Sequence, residues 1–197
     1  MKNKPVIVGI GELLWDMLPS GKKAGGAPVN FVYHASLLGA ESYAISAIGK
    51  DALGDEILQE LDKIKLSYFI ERVDYPTGTV LVQLKEGIPN YTIIENVAWD
   101  YIPATDEVKQ LARRTDAICF GTLAQRSVVS RSTIHEILSL VPQSAYRILD
   151  INIRQHFYSK QIIEESLRLC NVFKMNDDEL ELLREMFPLD GCDEDAA

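Results

Sequence analysis

Four clusters of polar residues in this 197-residue sequence have types and spacings that could do chemistry. Gly25-Gly26-Ala27-Pro28-Val29-Asn30 opens a helix. Two glycines let backbone amides approach a ligand without side-chain interference. The first N–H groups of a helix lack intrahelical partners, and Asn30, one turn in, can both donate and accept. That combination suits a neutral, hydroxyl-rich ligand; the other reading is a tight turn with Asn30 capping or facing solvent. Asp16 follows the first strand, where a carboxylate can hold two adjacent hydroxyls or simply close a loop turn. Asp150-Ile151-Asn152-Ile153-Arg154 begins at a strand end, and period-two alternation would put its three polar side chains on one face. Arg is the natural partner of a phosphate or a bidentate polar group; a buried Asp–Arg pair is the alternative. In Lys174-Met175-Asn176-Asp177-Asp178-Glu179, the oxygens of Asn176 and Glu179 are spaced to suit Mg²⁺, which keeps several waters and shares its ligands with phosphates. The same residues also read as a helix start, since Asn caps and acids favour the first turn.

Common shortcuts fail. Gly9-Ile10-Gly11 would need a third glycine at position 14 to be a dinucleotide fingerprint, and that position is Leu14. Gly49 to Gly54 has P-loop spacing, but Asp55 stands where the phosphate-binding lysine belongs. These patterns argue against a nucleotide-dependent dehydrogenase and a P-loop enzyme. His34, His135 and His156 lack paired ligand spacing and read as packing or surface residues. Cys119, Cys170 and Cys192 form an odd, sparse set without metal-like spacing, which fits a reducing compartment.

The elements that must position these clusters alternate between strand and helix. Strands are expected at 5–10, 43–48, 116–121, 146–151 and 171–175. Helices are expected at 28–38, 52–65, 105–114 and 160–169, with stripes through Ile134-Ile137-Leu138-Val141 and Leu180-Leu183-Phe187 marking two more. Between them, 68–73, 78–85 and 90–97 read as a local β meander, joined by Asp74-Tyr75-Pro76 and Glu86-Gly87. The alternation implies an α/β fold, a mostly parallel sheet covered by helices on both faces. Ligands in such sheets sit at the carboxyl ends of the strands. The meander looks like a small lid inserted over that end.

Composition supports a soluble globular chain. Twenty Lys+Arg against 29 Asp+Glu give a net charge of −9, and 47% of residues are hydrophobic. The charge is uneven: from Asn176 onward nine acids face one base, while residues 1–175 hold 20 acids and 19 bases. Without a basic stripe, nucleic acid is not an expected partner. No apolar run approaches the roughly 20 residues of a membrane helix, and the N-terminus lacks a secretory signal pattern. The expected location is cytoplasmic.

Taken together, the clusters resemble the PfkB (ribokinase-like) carbohydrate kinases, most closely the fructokinase branch. The matching pieces are Gly9-Ile10-Gly11-Glu12-Leu13-Leu14-Trp15-Asp16, the Gly25 to Asn30 run, Ala35-Ser36, Leu38-Gly39, Ile48-Gly49-Lys50-Asp51 with Gly54, the Asp150 to Arg154 run and Asn176-x-x-Glu179. The resemblance implies phosphoryl transfer from ATP to a sugar hydroxyl with Mg²⁺. Asp16, Gly25, Gly26, Asn30 and Asn152 would hold the sugar. Arg154 would steady the substrate or the transferred phosphate, and Asn176 and Glu179 would order Mg²⁺, its waters and the phosphates. It implies a lid of about 68–103 plus the loop 12–26, which could pair subunits into a homodimer. D-Fructose is the favoured acceptor, because Ala27 stands where ribokinases typically carry Lys; 2-keto-3-deoxygluconate is the nearest competitor.

One departure matters. The family's second signature, Asp-x-x-Gly-Ala-Gly-Asp, supplies the catalytic base and an anion hole, and no such run occurs here. Residues 1–197 are therefore expected to be the N-terminal portion of a sugar-kinase domain, without its C-terminal strands and helices. Such a chain would bind sugar with little or no turnover, or act as a non-catalytic sugar-binding fragment.

Overall fold

The computed structural model describes residues 4–85 and 88–187; the Glu86-Gly87 turn, Cys192 and the acidic stretch beyond residue 187 lie outside the described residues. In chain order the elements are β1 (Val6–Ile10), β2 (Leu14–Leu18), β3 (Gly21–Gly25), α1 (Ala27–Leu37), β4 (Glu41–Gly49), α2 (Ala52–Lys63), β5 (Ser67–Val73), β6 (Gly78–Lys85), β7 (Ile88–Ile93), α3 (Asp106–Ala112), β8 (Ala117–Gly121), α4 (Val128–Leu140), β9 (Tyr146–Asp150), α5 (Lys160–Leu169), β10 (Val172–Lys174) and α6 (Asp177–Met186). Short 3-10 turns occupy Ala98–Tyr101 and Leu123–Arg126.

Six strands form one sheet in the order β10-β9-β8-β1-β4-β5, and every pairing in it is parallel. Strands buried on both faces read as continuous apolar runs, as VIVGI and AICFG do here. Alternation still divides each strand between two cores. Val6, Val8 and Ile10 of β1 face the larger core, with Ile118, Phe120, Ile134 and Trp99. In β4, Ala44 and Ile48 pack with Val29 and Val32 of α1 and Ile57 and Leu61 of α2, while Ile45 and Ala47 point the other way. Strand order grows from β1 towards β4 on one side and β8 on the other. A crevice opens at such a reversal, outside the carboxyl ends of the strands. Side-chain caps start the helices: Asp51 accepts from the Gly54 amide, Thr105 from Val108 and Ser159 from Ile162. Among the described residues, no helix is long and apolar enough to cross a membrane.

A second sheet, ordered β3-β2-β6-β7, covers that crevice. Two readings change here. Residues 12–26, expected as a loop, contain the antiparallel pair β2 and β3, and β2 runs parallel beside β6. The expected meander divides, because β5 joins the main sheet beside β4, from Tyr43↔Ser67 to Gly49↔Val73. The reason is two-sided burial. Tyr68 and Ile70 pack on the α1/α2 core while Phe69 and Val73 pack on the opposite core, which a one-faced lid strand could not satisfy. Of the three expected meander strands, β6 and β7 leave the main sheet and join β2 and β3.

Candidate active site

Between the carboxyl ends of β1 and β9 and the lid strands lies a cavity of about 720 Å³. Asp16 of β2, Gly26 and Asn30 at the start of α1, and Asn152 and Arg154 after β9 line it, together with Glu12; Val80, Tyr91 and Ile93 supply the lid side. Five residues singled out in three separate sequence clusters and spread over 139 positions thus converge on one space, and Gly25 supports it from behind.

The glycine pair works by leaving room. Gly26 is the residue before α1, with φ 134°, and a Cβ there would sit 2.1 Å from the Glu12 carbonyl oxygen. Only glycine tolerates both the left-handed backbone and the close approach. Gly25 does not line the cavity; a Cβ there would meet Asp16 Oδ2 at 2.9 Å, so its bareness gives the Asp16 carboxylate its place. Asp16 pairs in register with Lys23 and Val80. Partial burial pushes its carboxyl above the ordinary range, with the Lys23 charge opposing.

Glu12 was not among the expected site residues. It is 3% exposed, its Oε1 accepts from the Ala27 amide at 3.0 Å, and its Oε2 is enclosed without a partner. Burial raises its pKa to about 7, against the pull of its own and the Ala27 amides; Asp150 raises it further and Arg154 lowers it. The available signal was an acid set inside the apolar run Ile10-Gly11-Glu12-Leu13-Leu14.

The Asp150 to Arg154 run departs from strand geometry. Alternation stops at Asp150, whose carboxylate pairs with Lys174 Nζ at 2.9 Å on the neighbouring strand. Asn152 takes a left-handed backbone with φ 42°, and Gln155 with φ 48°. The expected shared face for all three polar residues is therefore broken: Asn152 and Arg154 reach the cavity, while Asp150 turns along the sheet. Neither is there an Asp150–Arg154 pair; Arg154 is exposed, and its Nη1 donates to the Ile153 carbonyl at 2.9 Å. Gln155 donates to the Tyr91 carbonyl, joining this loop to the lid.

At the start of α6, Asn176 and Glu179 form a reciprocal capping box. Asn176 Oδ1 accepts from the Glu179 amide at 2.8 Å, and Glu179 Oε2 accepts from the Asn176 amide at 2.9 Å. The remaining oxygen, Oε1, accepts from the Ile153 amide at 2.9 Å. Glu179 is buried and both its oxygens are engaged. Neither residue lines the cavity, and these oxygens already accept from backbone amides, so a Mg²⁺ ion at this helix start would be reached through its waters rather than caged by protein ligands. Among the described residues no group of three or more His, Cys, Asp or Glu is placed to hold a metal.

The histidines do other work. His34 tilts against Tyr33, His156 against Phe157, and His135 Nε2 lies 3.2 Å from Gln125 Oε1. Beside the cavity, Arg126 is bidentate on Asp100 and lies over Trp99 and Phe157, bracing the segment that returns from the lid.

The family model described as pfkB family carbohydrate kinase matches residues 20–192. The uncharacterized sugar kinase of Pyrococcus horikoshii is 27% identical over 194 residues, covering 89% of this chain and 63% of that protein. Its crystal structure superposes with a TM-score of 0.82 over 91% of this chain and 66% of that one. It has also been solved in complex with ATP. An ATP-dependent 6-phosphofructokinase of Thermoanaerobacterium thermosaccharolyticum is 30% identical over 145 residues, 67% of this chain and 44% of that protein. A fructokinase of Salmonella typhimurium is 25% identical over 186 residues, 87% of this chain and 60% of that protein. The chain thus spans less than two thirds of the length of these relatives. A family match over most of the chain, on a parallel sheet of this topology, places the protein in the pfkB family of carbohydrate kinases.

Proposed function

We propose that the chain supplies the sugar-binding side of an ATP-dependent carbohydrate kinase whose acceptor is an unphosphorylated ketose, D-fructose ahead of 2-keto-3-deoxygluconate. The observation that carries this reading is the convergence of Asp16, Asn30, Asn152 and Arg154 on one cavity beneath a lid sheet. In it, the Asp16 carboxylate accepts hydrogen bonds from two adjacent sugar hydroxyls, and Asn30 and Asn152 donate to and accept from others. Gly26 lets the start of α1 approach the sugar. Arg154 steadies the substrate or the transferred phosphate. Mg²⁺, ordered with its waters by Asn176 and Glu179, would screen the charge of the ATP phosphates. The lid strands exclude water, so that the phosphoryl group meets a hydroxyl.

Charge favours a neutral sugar over a phosphosugar such as the phosphofructokinase relative's name implies. Arg154 is the one cationic side chain in the described lining of the cavity, and the Asp16 carboxylate shares that lining. A phosphate brings about 1.5–2 negative charges and wants several cationic donors.

Calorimetric titration tests the reading. Fructose is expected to bind the chain, and Asp16→Ala to weaken it roughly 10- to 100-fold, the worth of hydrogen bonds to a charged group. Unchanged affinity in Asp16→Ala, or tighter binding of fructose 6-phosphate than of fructose, would overturn it.

A further inference from the structure

We infer that Glu179 is a positioning residue for the sugar-side loop, its carboxylate acting as a strut that holds Asn152 and Arg154 over the cavity. The inference rests on reading that cavity as the sugar site.

Residues 151–155 leave β9 through two left-handed positions, Asn152 and Gln155, neither of them glycine. Such a backbone persists only where its surroundings over-determine it. Three tethers do so. Thr122 Oγ1 donates to the Ile151 carbonyl at 2.6 Å, Glu179 Oε1 accepts from the Ile153 amide at 2.9 Å, and Gln155 donates to the Tyr91 carbonyl. The middle tether falls on Ile153, between Asn152 and Arg154, and it comes from a carboxylate 6% exposed to solvent.

Capping does not require this contact. A capping box needs one acceptor atom at the third helical position, which Gln supplies as well as Glu. Here Oε2 completes the box, and Oε1 turns to an amide 26 residues earlier in the chain. A carboxylate can accept from two amide donors at once. A Gln offers one oxygen, and its NH₂ would face the other N–H. The second acceptor accounts for Glu at this position, and it joins the start of α6 to the loop carrying Arg154. The metal-side and sugar-side motifs therefore move as one body.

The test uses the 197-residue chain in EDTA without nucleotide, so that any role through Mg²⁺ is silent. Glu179→Ala and Glu179→Gln are compared with wild type, with Asp16→Ala as the binding control and Asp51→Ala as a control for general destabilisation. Amide exchange followed by NMR is expected to speed up at Ile153 by on the order of tenfold or more in both Glu179 variants. Metal-free fructose affinity is expected to fall by on the order of tenfold, further than in Asp51→Ala. Gln is isosteric and keeps the experiment alive if the alanine variant does not fold. Unchanged exchange at Ile153, or unchanged metal-free affinity beside a clear loss in Asp16→Ala, would overturn the strut. Accelerated exchange at Ile153 with fructose affinity insensitive to Asp16→Ala would support the strut and refute the sugar-site reading instead.

Discussion

Glu12 holds the Ala27 amide with one oxygen and encloses the other without a partner. Its carboxyl, pushed up to about 7 chiefly by burial, prefers its proton in the folded state. The sign follows from linkage. A pKa higher folded than unfolded stabilises the fold below the unfolded value, and that stabilisation is lost as pH rises through the folded one. From an ordinary value of 4.5 to about 7, the effect amounts to about 3 kcal/mol by the usual conversion. Glu12→Gln keeps an acceptor for the Ala27 amide and removes the titration. Urea unfolding at pH 5 and pH 8 is expected to show the variant gaining on wild type at the higher pH. An equal difference at both values would refute the assignment. Cys119, buried in β8 with its thiol pushed far up by desolvation, offers no comparable lever.

At the scale of elements, the junctions around the lid carry the most specific sequence. Asp51 caps α2 through Gly54 and also accepts from the amide and hydroxyl of Thr77, at 2.8 and 2.6 Å; the Thr77 hydroxyl in turn accepts from the Gly49 amide. The Gly-Lys-Asp signature therefore fastens the end of β4 to the root of β6, where the chain departs into the lid. Asp51→Ala is expected to lower stability by about 2 kcal/mol, a lost cap plus buried hydrogen bonds, with less loss of sugar affinity than Asp16→Ala. Affinity falling as far as in Asp16→Ala would place Asp51 in the site itself. Gly26→Ala meets a harder limit, a Cβ 2.1 Å from a backbone oxygen at φ 134°. Its expected cost is about 2–4 kcal/mol, the range of strain plus steric displacement, read as a lowered denaturation midpoint; a midpoint within 1 °C of wild type would contradict it.

Across the whole molecule, the cavity lies between a rigid parallel sheet and a smaller sheet joined to it through few segments. Gln155 reaches from the loop after β9 to the Tyr91 carbonyl in β7, linking the two bodies at the cavity edge. A sugar bound between them should slow their relative motion. Hydrogen exchange in saturating fructose is expected to fall in β6, β7 and residues 151–155, with α2 and α4 unchanged. Uniform protection throughout the chain, or none in the lid, would argue against closure over the ligand.

The parallel sheet was legible from sequence because its signals are local. Apolar runs such as VIVGI and AICFG, Pro28 at the start of α1 and Gly39 after its end need no partner to be read. The identity of most site residues was legible for the same reason, since polar clusters at strand ends follow from the alternation. What tertiary structure alone decided is which neighbours those residues meet. Nothing local distinguishes β5 from a lid strand until both its faces find cores, nor shows that β2 will lie beside β6, its paired residues 64 positions away along the chain. Asn152 looked like the middle of an alternating strand, and a left-handed turn imposed by its surroundings redirected it. Glu12 stood at the start of an expected loop, and only the fold shows the Ala27 amide claiming its oxygen. Spacing along the chain sets a side chain's type and approximate face; which donor its oxygens meet depends on elements brought together from distant parts of the sequence.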